Sequence, residues 1–245
     1  MEDAAIRNGV LPFFPCAVPG LSVAEMTPPG LLFGGDTGSE GCWEWKGPVI
    51  RRKTTAYGKF FSRKAGFVAL DLLPNFLNWR RSLYPVRPAS TEEMLLDILS
   101  VNEGLTSTEL RRLILGTPSR RRGPNDLVDI TRSDAAPQPE TPTRTSSRHS
   151  LEGPLQRLQM GGHLLISDFT YKLTRTGQRY GWGVARYATP ESHLGIGPAT
   201  CPPRESHDRL LAALIRLHPT APLPRLAALL KSPHRAASLR PAVPP

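Results

Sequence analysis

The stretch LEGPLQRLQMGGHLLISDFTYKLTRTGQRYGWGVARYATP (Leu151–Pro190) decides the fold. Leu151, Leu155 and Leu158 recur at helical spacing, and Pro154 is tolerated in the first turn. Gly161-Gly162 ends that helix. Two arms follow, His163–Leu173 and Arg179–Tyr187, joined across residues 174–178. Period-two alternation places Leu165, Phe169, Tyr171 and Leu173 on one face of the first arm. Tyr180, Trp182 and Val184 share a face of the second. The loop and its edges carry Lys172, Arg175 and Arg179, and Asp168 is the one acid between His163 and Tyr187. A helix running into a basic hairpin predicts a recognition helix and a wing that touches phosphate.

Upstream residues complete the pattern. Ser90-Thr91-Glu92-Glu93 reads as a capping box opening a helix over Thr91–Asn102, with Met94, Leu95, Ile98 and Leu99 on its apolar stripe. Asn102-Glu103-Gly104 stops it. Thr106-Ser107-Thr108-Glu109 is a second box, with Leu105 and Leu110 at staple spacing. Leu110, Leu113 and Ile114 continue the buried face of a helix over Thr106–Leu115. Helix, helix, helix, hairpin predicts a winged helix-turn-helix; a plain helical hairpin within a larger domain is the alternative.

The remaining chain divides by composition. Residues 1–42 are Pro- and Gly-rich and read as irregular, anchored by Leu11, Phe13 and Phe14. Residues 43–88 form a small β-rich region, with strands expected at Val49–Lys53, Ala56–Ser62 and Gly66–Leu70. From Trp45 to Leu70 no acid occurs. Lys46, Arg51, Arg52, Lys53, Lys59, Arg63 and Lys64 interleave there with Trp45, Tyr57, Phe60, Phe61 and Phe67. That mixture suits phosphate contact with base stacking, and equally a small sheet with an aromatic core and a solvated basic face. The winged-helix unit spans 89–195. Its insertion at 117–150 is rich in Pro, Ser, Thr and Arg and reads as disordered. Residues 196–245 hold a helix capped by Ser206, a second around Leu226, Leu229 and Leu230, and a disordered tail. The fold class is α+β.

The 31 basic and 21 acidic side chains leave a net charge of +10, which favours a polyanionic partner. Part of that excess lies in low-complexity sequence, so its distribution carries the argument. No apolar run approaches the roughly 20 residues of a membrane span, and MEDAAIRNGV lacks the pattern of a secretory signal. Cys16, Cys42 and Cys201 are odd in number and far apart, and the histidines lack ligand spacing. The expectation is a cytoplasmic protein without metal or cofactor.

Several segments carry a resemblance: CWEWKGPVIRR (Cys42–Arg52), AYGKFF (Ala56–Phe61), KAGFV (Lys64–Val68), RLQM (Arg157–Met160), ISDF (Ile166–Phe169) and YGWGVARYATPE (Tyr180–Glu191). Together they resemble the AlkZ-related bacterial proteins, relatives of winged-helix DNA glycosylases that remove alkylated and crosslinked bases. The resemblance implies DNA repair, with a Gln-x-Gln or Gln-x-Asp element that sets a water against the sugar as the base leaves. Gln159-Met160-Gly161 stands at that element, so the first glutamine is present and the second side chain is missing. Asp168 and Glu44 are the carboxylates available to take its place, and each has a structural reading beside the catalytic one.

The expectation is therefore a winged-helix DNA-binding protein related to base-excision glycosylases. Arg157, Lys172, Arg175 and Arg179 would grip duplex DNA, with Arg51, Arg52, Lys53 and Lys59 on a second surface. If it is an enzyme, it hydrolyses the N-glycosidic bond of alkylated bases, and Trp43 or Trp45 stacks on the extruded base or packs in the core. A transcriptional regulator reading bases through Gln156, Arg157 and Gln159 is the alternative, and a protein-interaction module is the third reading.

Overall fold

The computed structural model describes residues 1–33, 40–115, 150–177 and 179–230, and only the backbone of residues 179–182. The low-complexity insertion, the C-terminal tail and the side chain of Arg179 thus lie outside the described residues. The architecture is mixed α+β with two small sheets. No helix among the described residues is long and apolar enough to cross a membrane.

The N-terminal half builds the first sheet. Helix α1 (Glu2–Asn8) leads into β1 (Val10–Pro12), and α2 (Val23–Met26) and α3 (Cys42–Arg51) precede β2 (Thr55–Phe61), β3 (Lys64–Ala69) and α4 (Leu73–Leu83). The strands pair antiparallel in the order β1-β3-β2. Gly66 sits at its centre because a Cβ there would lie 2.7 Å from the Pro12 backbone. Two expectations are corrected here. Residues 1–42 are not wholly irregular, because β1 covers one edge of β3 and its three residues are buried. Val49–Lys53 is not a strand. Cys42, Lys46, Val49 and Ile50 recur at helical spacing and are all buried on α3, so burial of that face overrides the strand preference of Val49 and Ile50. The aromatic side chains Tyr57, Phe60, Phe61 and Phe67 lie in the core, so they stack on one another and on Phe76 rather than on bases.

The C-terminal half runs α5 (Thr91–Val101), β4 (Leu105–Thr106), α6 (Ser107–Leu115), α7 (Glu152–Met160), β5 (Leu165–Leu173), β6 (Arg179–Ala188), α8 (Pro190–Leu194), α9 (Pro203–Leu217) and α10 (Leu223–Leu230). The second box is reciprocal: Glu109 N–H donates to Thr106 Oγ1 at 3.3 Å, and Thr106 N–H donates to Glu109 Oε2 at 2.7 Å. At the first box Glu93 N–H donates to Ser90 Oγ, but the Glu93 carboxylate accepts from Ala89 N–H. The turn between α5 and α6 adds β4, which pairs with β6 and gives the second sheet the order β4-β6-β5. Ser206 does not cap a helix. It lies inside α9, fully buried and bonded to Asn75, Asn78 and Cys201.

Two cores meet at Tyr187 of β6, which packs against both. Leu95, Leu99, Leu110, Leu151, Leu155, Leu158 and Leu164 pack the helical cluster. The larger core draws on both sheets' inner residues together with α4, α9 and α10. On the helical stripe Leu95, Leu99 and Leu110 are buried, whereas Met94 and Leu113 are exposed.

Arg80 joins these parts. Its side chain is 1 % exposed, yet no carboxylate pairs with it among the described residues. Nε donates to Met160 O at 2.8 Å, Nη2 to Phe60 O, and Nη1 to Leu230 O at 3.5 Å. Met160 and Leu230 are the last residues of α7 and α10, where free carbonyls concentrate negative charge. Burial still lowers the guanidinium pKa, to about 10. An Arg80→Leu variant strands three buried acceptors at about 1–3 kcal/mol each. The expected result is a loss of at least about 3 kcal/mol, read as a lower urea midpoint.

Candidate nucleic-acid interface

The β5–β6 hairpin is rooted in the core and exposed at its tip. Leu165, Ile166 and Ser167 are buried in succession because the register shifts between Ile166 and Asp168, which breaks the alternation. A second shift between Thr170 and Lys172 turns Leu173 outward, 60 % exposed, so the expected common face with Leu165 and Phe169 does not form. Phe169 packs edge-on against Tyr57 of β2. At the tip, Gly177 (φ 80°) closes a turn by donating its N–H to Thr174 O at 3.0 Å, and the Thr174 and Thr176 hydroxyls bond each other at 2.8 Å. Lys172 and Arg175 are exposed and have no carboxylate partner among the described residues.

The other cations picked from the sequence divide differently. Arg157 places Nε and Nη2 on Glu92 Oε1, and this pairing holds the Glu92 carboxyl below its ordinary pKa against the upward pull of burial. Arg51 pairs with Asp168 at 2.8 Å and Arg52 with Glu2 at 2.5 Å. Lys53 is exposed at a left-handed backbone position (φ 56°), and Lys59 is half-buried. These residues do not gather into one surface with the tip by any contact among the described residues.

The three candidate catalytic side chains each hold a structural partner. Gln159 is 1 % exposed; its Oε1 accepts from Lys59 N–H at 3.1 Å and its Nε2 donates to Leu155 O at 3.1 Å. Asp168 accepts from Arg51 and from Phe169 N–H at 2.8 Å. Glu44 accepts from Gly41 N–H at 3.0 Å and so closes the first turn of α3. The volume beside Gly161 is not vacant. A Cβ there would lie 2.7 Å from His163 Cδ2 and 2.9 Å from Tyr84 Cβ, so a glycine is needed for close approach.

Sequence reasoning missed two residues here, Arg80 and His163, which flank the end of α7. It grouped Lys46 with the cations suited to phosphate contact, and the structure instead buries it on α3 between two rings. Lys46 is 2 % exposed, with Nζ 3.6 Å from the Trp43 ring centroid, 4.7 Å from that of Phe169, and 2.5 Å from Trp43 O. The Trp43–Lys46 spacing of three on a helix was the available signal. Trp43 itself packs edge-on against Phe13, while Trp45 is exposed beside Met26 and Leu31. No group of three or more His, Cys, Asp or Glu among the described residues is placed to hold a metal ion.

A family model described as AlkZ related matches residues 2–231, so the chain belongs to the AlkZ-related family. No curated protein and no solved structure matches it.

Burial lowers the Lys46 pKa from 10.5 to about 8. Between those values the unfolded chain holds the proton that the folded chain has released, so stability rises with pH. The usable window is about pH 8 to 9, since the half-buried Cys16 thiol, raised above 9.0, contributes the opposite sign at higher pH. Urea midpoints should climb across that window, and Lys46→Met should flatten the climb.

Proposed function

We propose that this AlkZ-related protein is a winged-helix DNA-binding protein of the repair class, with residues 89–195 as the binding unit and β5–β6 as its wing. The carrying observation is the hairpin itself: a buried root, a hydrogen-bonded tip, and Lys172 and Arg175 exposed without carboxylate partners. Asp168 is neutralised by Arg51 at the root, so the one acid of the hairpin does not oppose phosphate at the tip. Arg179 begins β6, and its register partner is Leu173, which adds a third cationic residue at the same end of the ladder.

The grip is proposed to be mainly on phosphate. The exposed positions of α7 are Glu152, Gly153 and Arg157, and Arg157 is engaged by Glu92. Few polar groups are thus free to read base edges, which disfavours a sequence-specific regulator. Hydrolysis of an N-glycosidic bond is the second reading, favoured by the family. In this chain Gln159 is committed to two backbone partners, and the space at Gly161 is filled by His163 and Tyr84. Binding therefore stands ahead of base excision.

Affinity for a duplex should fall steeply as salt rises from about 50 to 200 mM. Lys172→Ala with Arg175→Ala should weaken binding to all sequences alike and reduce the salt slope by about 2. An affinity indifferent to salt, or a loss confined to one sequence, contradicts the phosphate grip. On duplexes carrying alkylated bases, any base release should be the same in the native chain and in Gln159→Ala.

A further inference from the structure

A cleft of about 560 Å³ opens where the connection from α4 to α5 meets the end of α7. Leu83, Val86 and Leu158 line its apolar side, and Arg87, Ser90, Glu92, Arg157 and His163 supply its polar groups, the Glu92 carboxylate being already paired with Arg157. The volume falls within the roughly 300–1,000 Å³ of small-ligand sites.

The chemistry of His163 is fixed by one contact. Its Nε2 lies 2.8 Å from Tyr84 O, and a carbonyl oxygen only accepts, so Nε2 carries the proton. The lone pair is therefore on Nδ1. Burial lowers the imidazole pKa, so the ring stays neutral and that lone pair stays available at neutral pH.

One of the two cations is also held in place. Arg157 is held by Glu92 through Nε and Nη2, which leaves Nη1 for a ligand. Arg87 is exposed and has no carboxylate partner among the described residues. Its loop is stiffened by Pro85 and Pro88. Ala89 in that loop adopts a left-handed backbone (φ 55°), fixed by donation of its N–H to Glu93 Oε2 at 2.6 Å. A rim built this way keeps a strained residue in place before any ligand arrives.

We infer that this cleft binds a single nucleotide, its phosphate on Arg87 and Arg157, its base against Leu83 and Val86, and a base amino group donating to His163 Nδ1. Planar anion recognition by guanidinium and acceptance by a neutral imidazole require a ligand that is anionic at one end and a hydrogen-bond donor at the other. A free mononucleotide and a nucleotide within a single strand share that chemistry. The site uses neither Lys172 nor Arg175, so it stands or falls apart from the hairpin grip.

The test follows the His163 Cε1–H resonance of the full chain by NMR during titration with 5′-dAMP, inorganic phosphate and a short oligodeoxyadenylate. The expected result is a saturable shift with 5′-dAMP at least tenfold tighter than with phosphate. Arg87→Ala, an exposed substitution, should weaken 5′-dAMP about tenfold while leaving the resonance of the free protein in place. Tighter binding of 5′-dAMP than of the oligonucleotide assigns the site to free nucleotide, and the reverse assigns it to a strand. A resonance unmoved by either, equal binding of phosphate and 5′-dAMP, or an Arg87→Ala protein that binds as before overturns the inference.

Discussion

A guanidinium sealed from water without a carboxylate is the constraint on which the rest of this structure depends. Arg80 must find acceptors in every direction that its fork points, because an unpaired buried charge is among the costliest features a protein can carry. It finds them in the closing carbonyls of α7 and α10 and in the β2 backbone. Each bond fixes one element against α4. Arg81, next in sequence, donates to Gly162 O at 3.2 Å and pairs with Glu191 at 2.7 Å, so the start of α8 is tied to the same post. The end of α7 cannot shift without breaking several of these contacts together.

That anchorage decides what the Gln159-Met160-Gly161 step can do. With α7 pinned on β2, the Gln159 amide lies between Lys59 N–H and Leu155 O, and Met160 becomes core. Gly161 then passes close to Tyr84, and His163 turns into the space that a longer side chain at 161 would need. The same anchorage stiffens the hairpin root, which lets the tip present charge at a set distance from the core. Members of one family can keep a scaffold while moving chemistry among sites, because packing and reactivity place different demands on the same residues.

The helical part was legible because its signals are local. The Glu93 N–H to Ser90 bond and the reciprocal Thr106–Glu109 pair close within three residues, so spacing alone predicts them, whereas the Glu93 carboxylate takes Ala89 N–H in place of the cap. The hairpin was legible for a similar reason, although its two register shifts left no mark in the alternation. What was not legible depends on distant partners. Helix α3 carries the strand-forming residues Val49 and Ile50 in its last turn, and β1 is recognisable only beside β3. Nothing in RRSL announces that one arginine is fully buried and the next paired with Glu191. The site was half legible: exposed tip cations could be named from charge, but the partners of Arg157, Gln159 and Asp168 lie 65, 100 and 117 residues away.

The central claim is that duplex DNA meets the hairpin tip while α7 stays sealed against β2. Amide hydrogen exchange of the full chain, with and without a saturating duplex, tests it most directly. The account predicts new protection across residues 170–177 and unchanged exchange for Gln156–Met160. Protection that appears along α7 with the hairpin unaltered would contradict it.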